Sequence, residues 1–167
     1  MGLFGIPSKK ERELKKQQII NCQRIFAESL KIMMSTADID TFISRYNVAR
    51  ESIYEAGRIA GENSKCMADG ITPREALETL DRDLPMVLNP CIERYMRKQT
   101  IRISGLSKGR ISKAKGLHLI ADEYENEMPK ECFDYFHHLI NKLVNKIEKL
   151  DSLESPKSSS KKPNNIK

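Results

Sequence analysis

Between Ile39 and Ala60 the apolar side chains Ile39, Phe42, Tyr46, Ala49, Ile53, Ala56 and Ala60 return at alternating steps of three and four residues. That spacing sets all seven on one stripe of an α-helix and on neither face of a strand. Such a stripe has to be covered by other amphipathic helices. It starts with large side chains and ends with small ones, and Gly57 and Gly61 flank the small end. Each glycine costs about 1 kcal/mol of helix propensity against alanine. Either a second helix crosses closely over Ala56–Gly61, or the glycines mark the end of the helix.

The same spacing recurs along the chain. Ser8 and Glu11 form a capping box that starts a helix at Lys9, running to about Ser35 with Ile19, Cys22, Phe26, Leu30 and Met33 inward. Its first ten residues are polar enough to project beyond the body of the fold. Leu3, Phe4 and Ile6 are expected to fold back onto the first turn as a staple, against the competing reading of a weak membrane or partner anchor. Asp38 is the expected cap of the central helix. Thr72, Pro73 and Glu75 make a second capping box, followed by Ala76, Leu77, Leu80 and Leu84, with Pro85 as the stop.

Asn89 and Pro90 read as a fourth start, with Ile92, Tyr95, Met96 and Ile103 leading to an end near Gly105. Thr100–Ser104 alternates like a strand but has no partner strand, so it is read as helix. After a turn at Ser107–Arg110, a fifth helix carries Ile111, Ala114, Leu117, Ala121, Tyr124 and Met128, and Pro129 ends it. The sixth has Phe133, Phe136, Ile140, Leu143, Ile147 and Leu150. From Asp151 the chain turns to Ser, Lys and Pro, with too little apolar surface to offset the entropy of ordering. The expected fold is all-α: a single-domain bundle of about six helices over residues 1–150, with a disordered basic tail over 151–167.

No run approaches 18 apolar residues, so no membrane span is expected. The four cysteines, Cys22, Cys66, Cys91 and Cys132, form no C-x-x-C pair, which points to free thiols in a reducing cytoplasm. The net charge of +6 matters less than its distribution. From Arg94 to His118 stand Arg94, Arg97, Lys98, Arg102, Lys108, Arg110, Lys113 and Lys115, with no Asp or Glu among them. These eight are the candidate anion or nucleic-acid contacts, since such a run can track phosphates. Internal compensation by Asp122–Asp134 or the acidic stretch Asp69–Asp83 is the blander reading, and the one a charged helix face favours.

Other chemistry is thinly represented. A helix-turn-helix built from Thr72–Leu80 and Asn89–Lys98 has too long a connection, containing two prolines. Asp134, His137 and His138 have the spacing of half a metal site, but a surface ion pair between Asp134 and His138 is the simpler expectation. Cys66, in a loop, is the most reactive thiol expected. Arg45, beside the central stripe, is expected to pack its stem and pair with a carboxylate. No Walker loop, G-x-G-x-x-G or H-E-x-x-H occurs. No catalytic, cofactor-binding or metal-binding residue is assigned, no cofactor is expected, and the reading leans away from an enzyme.

Ser35–Tyr46 (STADIDTFISRY) resembles a segment of uncharacterised small all-helical proteins of Gram-positive bacteria and their mobile elements. In that group an aromatic pair precedes Ser-Arg-Tyr; here Ile43 replaces the second aromatic. Ile92-Glu93-Arg94 and Lys108-Gly109-Arg110 are similar to later motifs of the group, and the resemblance spans about residues 23–139. It implies a cytoplasmic, all-helical bacterial protein and no particular activity. The function expected is a non-enzymatic helical interaction or adapter protein with a protein partner. The alternative is a nucleic-acid-binding protein using the basic segment Arg94–Lys115.

Overall fold

A computed structural model describes residues 5–105 and 109–154. These residues form five α-helices, α1 (Lys9–Ser35), α2 (Ile39–Ala60), α3 (Pro73–Ser104), α4 (Arg110–Glu123) and α5 (Lys130–Glu154), with one 3-10 turn at Ala68–Gly70. No strand occurs among the described residues.

The expected helix starts hold atom by atom. The Glu11 N–H donates to Ser8 Oγ at 3.2 Å and the Ser8 N–H to Glu11 Oε2 at 2.7 Å. At α3 the reciprocal pair is Glu75 N–H to Thr72 Oγ1 at 3.1 Å and Thr72 N–H to Glu75 Oε2 at 3.0 Å. Asp38 Oδ2 accepts from the Thr41 N–H at 3.0 Å. These bonds satisfy backbone donors that a bare helix end leaves open.

The six expected helices become five because the third and fourth are one. Pro85 and Pro90 both lie inside α3. An interior proline costs about 3 kcal/mol of helix propensity, yet Leu80, Leu84, Leu88, Cys91, Ile92 and Met96 are all buried on one continuous stripe running past both. Each large apolar side chain buried contributes about 1.5–3 kcal/mol, so packing outweighs the breaks. The carbonyls the prolines leave unpaired belong to Asp81 and Met86, four residues earlier, and both residues are exposed to water. Asn89, read as a cap, is interior instead, and its Oδ1 is buried without a partner among the described residues. A helix-turn-helix built from Thr72–Leu80 and Asn89–Lys98 is thereby excluded, and Thr100–Ser104 is helical.

Three boundaries shift. The fifth expected helix stops at Glu123 rather than Met128, although Tyr124 and Met128 remain buried in the turn that follows. The last helix runs to Glu154, past the expected boundary at 151; the rest of the expected tail lies outside the described residues. Ile6 is 63 % exposed and does not staple the first turn, while Leu3 and Phe4 lie outside the described residues.

α1 and α2 form an antiparallel hairpin packed along most of its length, and α4 and α5 form a second. α3 joins them. Its first half runs antiparallel to α2, with Pro73 beside Gly57 and Cys91 Sγ 3.9 Å from the Asp38 carbonyl oxygen. Its second half packs on α5, where Tyr95 meets Phe136 edge-on at 5.8 Å. Tyr124 donates to Asp40 Oδ1 at 2.5 Å, tying the start of α2 to the α4–α5 turn.

The two readings of the glycines divide between them. Gly61 ends α2 with φ of 96°, while a Cβ at Gly57 would meet Pro73 Cβ at 3.4 Å, so the start of α3 is what crosses there. Gly116, by contrast, sits inside α4 with open space where a Cβ would go. Gly116→Ala is expected to stabilise the protein by about 1 kcal/mol and to raise Tm by about 2–4 °C. Thermal melting followed by circular dichroism checks this, and a lowered Tm would contradict it.

Candidate interaction surface

The fold breaks the basic run into parts with different roles. Arg94 is half-buried and turned inward: its Nε donates to the Thr36 carbonyl at 2.9 Å and its Nη2 to the Met33 carbonyl at 3.4 Å. It therefore serves the open carbonyls at the C-terminus of α1, where a cation also suits the helix dipole. Arg110 stands at the start of α4 with only 13 % of its side chain exposed, its Nε 3.8 Å from Asp151 on α5. It links the free ends of the second hairpin. Lys108 lies outside the described residues.

The five that remain, Arg97, Lys98 and Arg102 on α3 and Lys113 and Lys115 on α4, are exposed. None of them is ion-paired among the described residues. Arg102 and Lys113 line one cleft of about 200 Å³ with Leu117 and Ile120 between the two helices.

A test separates these roles. Arg94→Ala leaves carbonyls at the α1–α3 junction without a donor and is expected to cost about 1–3 kcal/mol. Lys98→Ala is expected to change stability by less than about 0.5 kcal/mol. Urea denaturation of both variants measures the difference, and equal losses would contradict the division.

Compensation from the acidic segment is not what the geometry shows. Asp122 lies 3.1 Å from His137 Nε2, across the second hairpin. Glu123 at the end of α4, Glu125 and Glu127 in the turn after it, and Glu131 and Asp134 at the start of α5 are exposed. Glu123 is about 15 Å from Lys113 along the axis, at 1.5 Å per residue. In the Asp69–Asp83 stretch, Asp81 is held by Arg50, Asp83 by Arg82 and Glu75 by its cap. The molecule thus has a basic and an acidic end of the same hairpin.

His137 also takes the contact expected of its neighbour. The Asp134–His138 pair is not formed; His137 instead faces Asp122, with the Phe133 ring edge-on at 4.5 Å and the His118 ring at 5.8 Å. Spacing along α5 alone does not reveal α4 lying over it. Among the described residues, no group of three His, Cys, Asp or Glu converges on a metal-sized site.

Cys66 is half-buried, and burial pushes its thiol up, away from the activated range. Cys22 is pushed up by burial and by the neighbouring Cys66. Gln23, next to Cys22 in α1, donates from Nε2 to the Cys66 carbonyl at 2.6 Å. The cleft that Cys66 lines contains no histidine.

The arginine paired beside the central stripe is Arg50, not Arg45. Its guanidinium lies 5.6 and 5.7 Å from the ring centroids of Tyr46 and Tyr54, and donates to both hydroxyls at 3.0 Å and to Asp81. Tyr46 donates to the same carboxylate at 2.5 Å. Burial pushes the Asp81 carboxyl up, but donors from Tyr46 and Arg50 bring it net below its usual range. This set ties α2 to α3. The i, i+4, i+8 spacing of Tyr46, Arg50 and Tyr54 was its available sequence signal. No helix of the described residues is long and apolar enough to cross a membrane. No protein-family model, no curated protein and no solved structure matches the chain.

Proposed function

We propose that this chain is a non-enzymatic helical interaction protein that meets its partner through exposed basic faces on α1 and on the α3–α4 corner. The observation that carries the reading is the set of five exposed cations on α3 and α4, two of which, Arg102 and Lys113, share one cleft, all without ion-pair partners among the described residues. Rigidly presented, uncompensated charge steers association and selects oppositely charged partners. The four free cysteines fit a reducing cytoplasm, and the resemblance of Ser35–Tyr46 fits a bacterial one.

The test is affinity capture from the host's own lysate with the wild-type chain and with Arg97→Glu/Lys113→Glu. Proteins captured by the wild type and lost with the variant support the reading. An identical set from both, or none from either, overturns it.

A second reading is nucleic-acid binding by the same corner, favoured by Arg102 and Lys113 lining one cleft. Labelled duplex and single strand titrated at two salt concentrations decide it. Affinity that falls steeply with salt supports phosphate contact, and absence of binding at low salt removes it.

A further inference from the structure

α1 outruns the seam that it makes with α2. α2 stops at Ala60, and α1 runs on toward its N-terminus as an arm of exposed residues, Lys9–Gln18, in which only Glu11 is half-buried. The face of α1 that packs on α2 carries Ile19, Cys22, Phe26, Leu30 and Met33. Continued backward by steps of three and four, that face reaches Lys16 and then Arg12. The apolar stripe therefore becomes basic at the point where it loses its cover.

A cleft of about 490 Å³ marks the place, between the arm, the end of α2 and the segment at Lys65 and Cys66. Ile19, Ile20 and Ile59 form its apolar part, and Arg12, Lys15, Lys16 and Lys65 its charged part. No carboxylate lines it, and none of those four cations is ion-paired among the described residues.

We infer that this cleft receives an acidic amphipathic helix of a partner protein, laid along α1 where α2 leaves off. Its apolar side chains rest on the isoleucines and its carboxylates reach the four cations. The inference rests on the interaction-protein reading and gives the arm's partner a chemistry. Helix geometry is favoured because the site continues an existing helix–helix seam, spanning about three turns from Arg12 to Gln23. Nucleic acid is disfavoured because the apolar part is aliphatic and offers no ring for a base to stack on. A bilayer is met by an outward apolar face, whereas here the isoleucines line a recess.

The experiment uses the full chain and a labelled synthetic helix of about 16 residues with Leu at i, i+3, i+4 and i+7 and Glu beside them. The controls are the same peptide with Lys for Glu, a labelled DNA duplex and phosphatidylglycerol vesicles. The Glu peptide is expected to bind, to weaken as salt rises, and to lose at least about tenfold in affinity to Lys15→Glu/Lys16→Glu. Ile20→Gln, at a half-open position, is expected to weaken it several-fold, and the Lys peptide is expected not to bind.

Failure of the Glu peptide to bind, binding that survives the charge reversal, or equal binding of duplex or vesicles would each overturn the inference. The last would mean that charge alone is read. Arm variants leave the α3–α4 cations intact. Lysate capture that persists when peptide binding fails therefore sinks only this inference, while loss of capture through Arg97→Glu/Lys113→Glu concerns the broader reading. Circular dichroism of each variant shows that the exposed substitutions leave the helices formed.

Discussion

Phe136→Ala is expected to remove about 3–5 kcal/mol of stability and to lower Tm by on the order of 10 °C. Phe136 is fully buried on α5. Its ring meets Tyr95 of α3 edge-on at 5.8 Å and the Tyr124 ring, in the α4–α5 turn, at 6.4 Å. Truncation removes the transfer free energy of the ring and leaves a cavity walled by three elements that cannot all close in. It also forfeits two aromatic contacts worth about 0.5–1.5 kcal/mol each beyond their area. Against a whole stability of about 5–15 kcal/mol for an ordinary domain, that is a large share. Urea denaturation measures it, with Phe136→Leu expected to lose less. A loss under about 1 kcal/mol for the alanine variant would mean that the junction of α3 with the second hairpin is not packed as described.

Alkaline pH is expected to destabilise the fold over the same range in which lysines begin to lose their charge. Burial pushes the fully buried thiols of Cys91 and Cys132 up to about 11, from an ordinary value of 9.0. Burial also raises Tyr46, Tyr95 and Tyr124, and Tyr135 is raised chiefly by its hydrogen bond to Glu93. In every case the folded chain keeps a proton that the unfolded chain releases. The stability is therefore whole below pH 9 and falls as pH climbs from there through about 11 and beyond. The two buried thiols alone account for on the order of 2 kcal/mol each across that window. Tyrosinate absorbance and far-ultraviolet circular dichroism, followed together against pH, should change together. A full tyrosinate signal at about pH 10, near the ordinary tyrosine value, with helix intact would contradict the expectation.

What could be read from sequence was what local rules decide. The caps at Ser8, Asp38 and Thr72 lie within three residues of their partners, and the α2 stripe buries Ile39, Phe42, Ala49, Ile53 and Ala56 as its spacing demands. On α5 the same reading was right in kind and slightly rotated: Cys132 is buried, while Phe133 is half-buried and Leu150 is 40 % exposed.

Local rules failed where distant residues decide. Two prolines predict a break in α3, and only the helices packed across Leu84, Leu88 and Ile92 hold it together. Arg94 counted as one more cation in a run because nothing near it announces the carbonyl of Thr36, 58 residues away. His137 lost to His138 for the same reason, since its partner Asp122 is on another helix. The basic corner was legible as charge, but its division into two inward arginines and five outward cations required the fold.

The length of α3 has a consequence for how the molecule comes apart. At 32 residues and 1.5 Å per residue, it is a strut of about 48 Å, and each hairpin rests on one half of it. Neither hairpin can melt without stripping the strut and so weakening the other's seat. Thiol labels at Cys22 and at Cys132, read through the same denaturation, should share one midpoint, whereas a hinge at Pro85–Pro90 would split them.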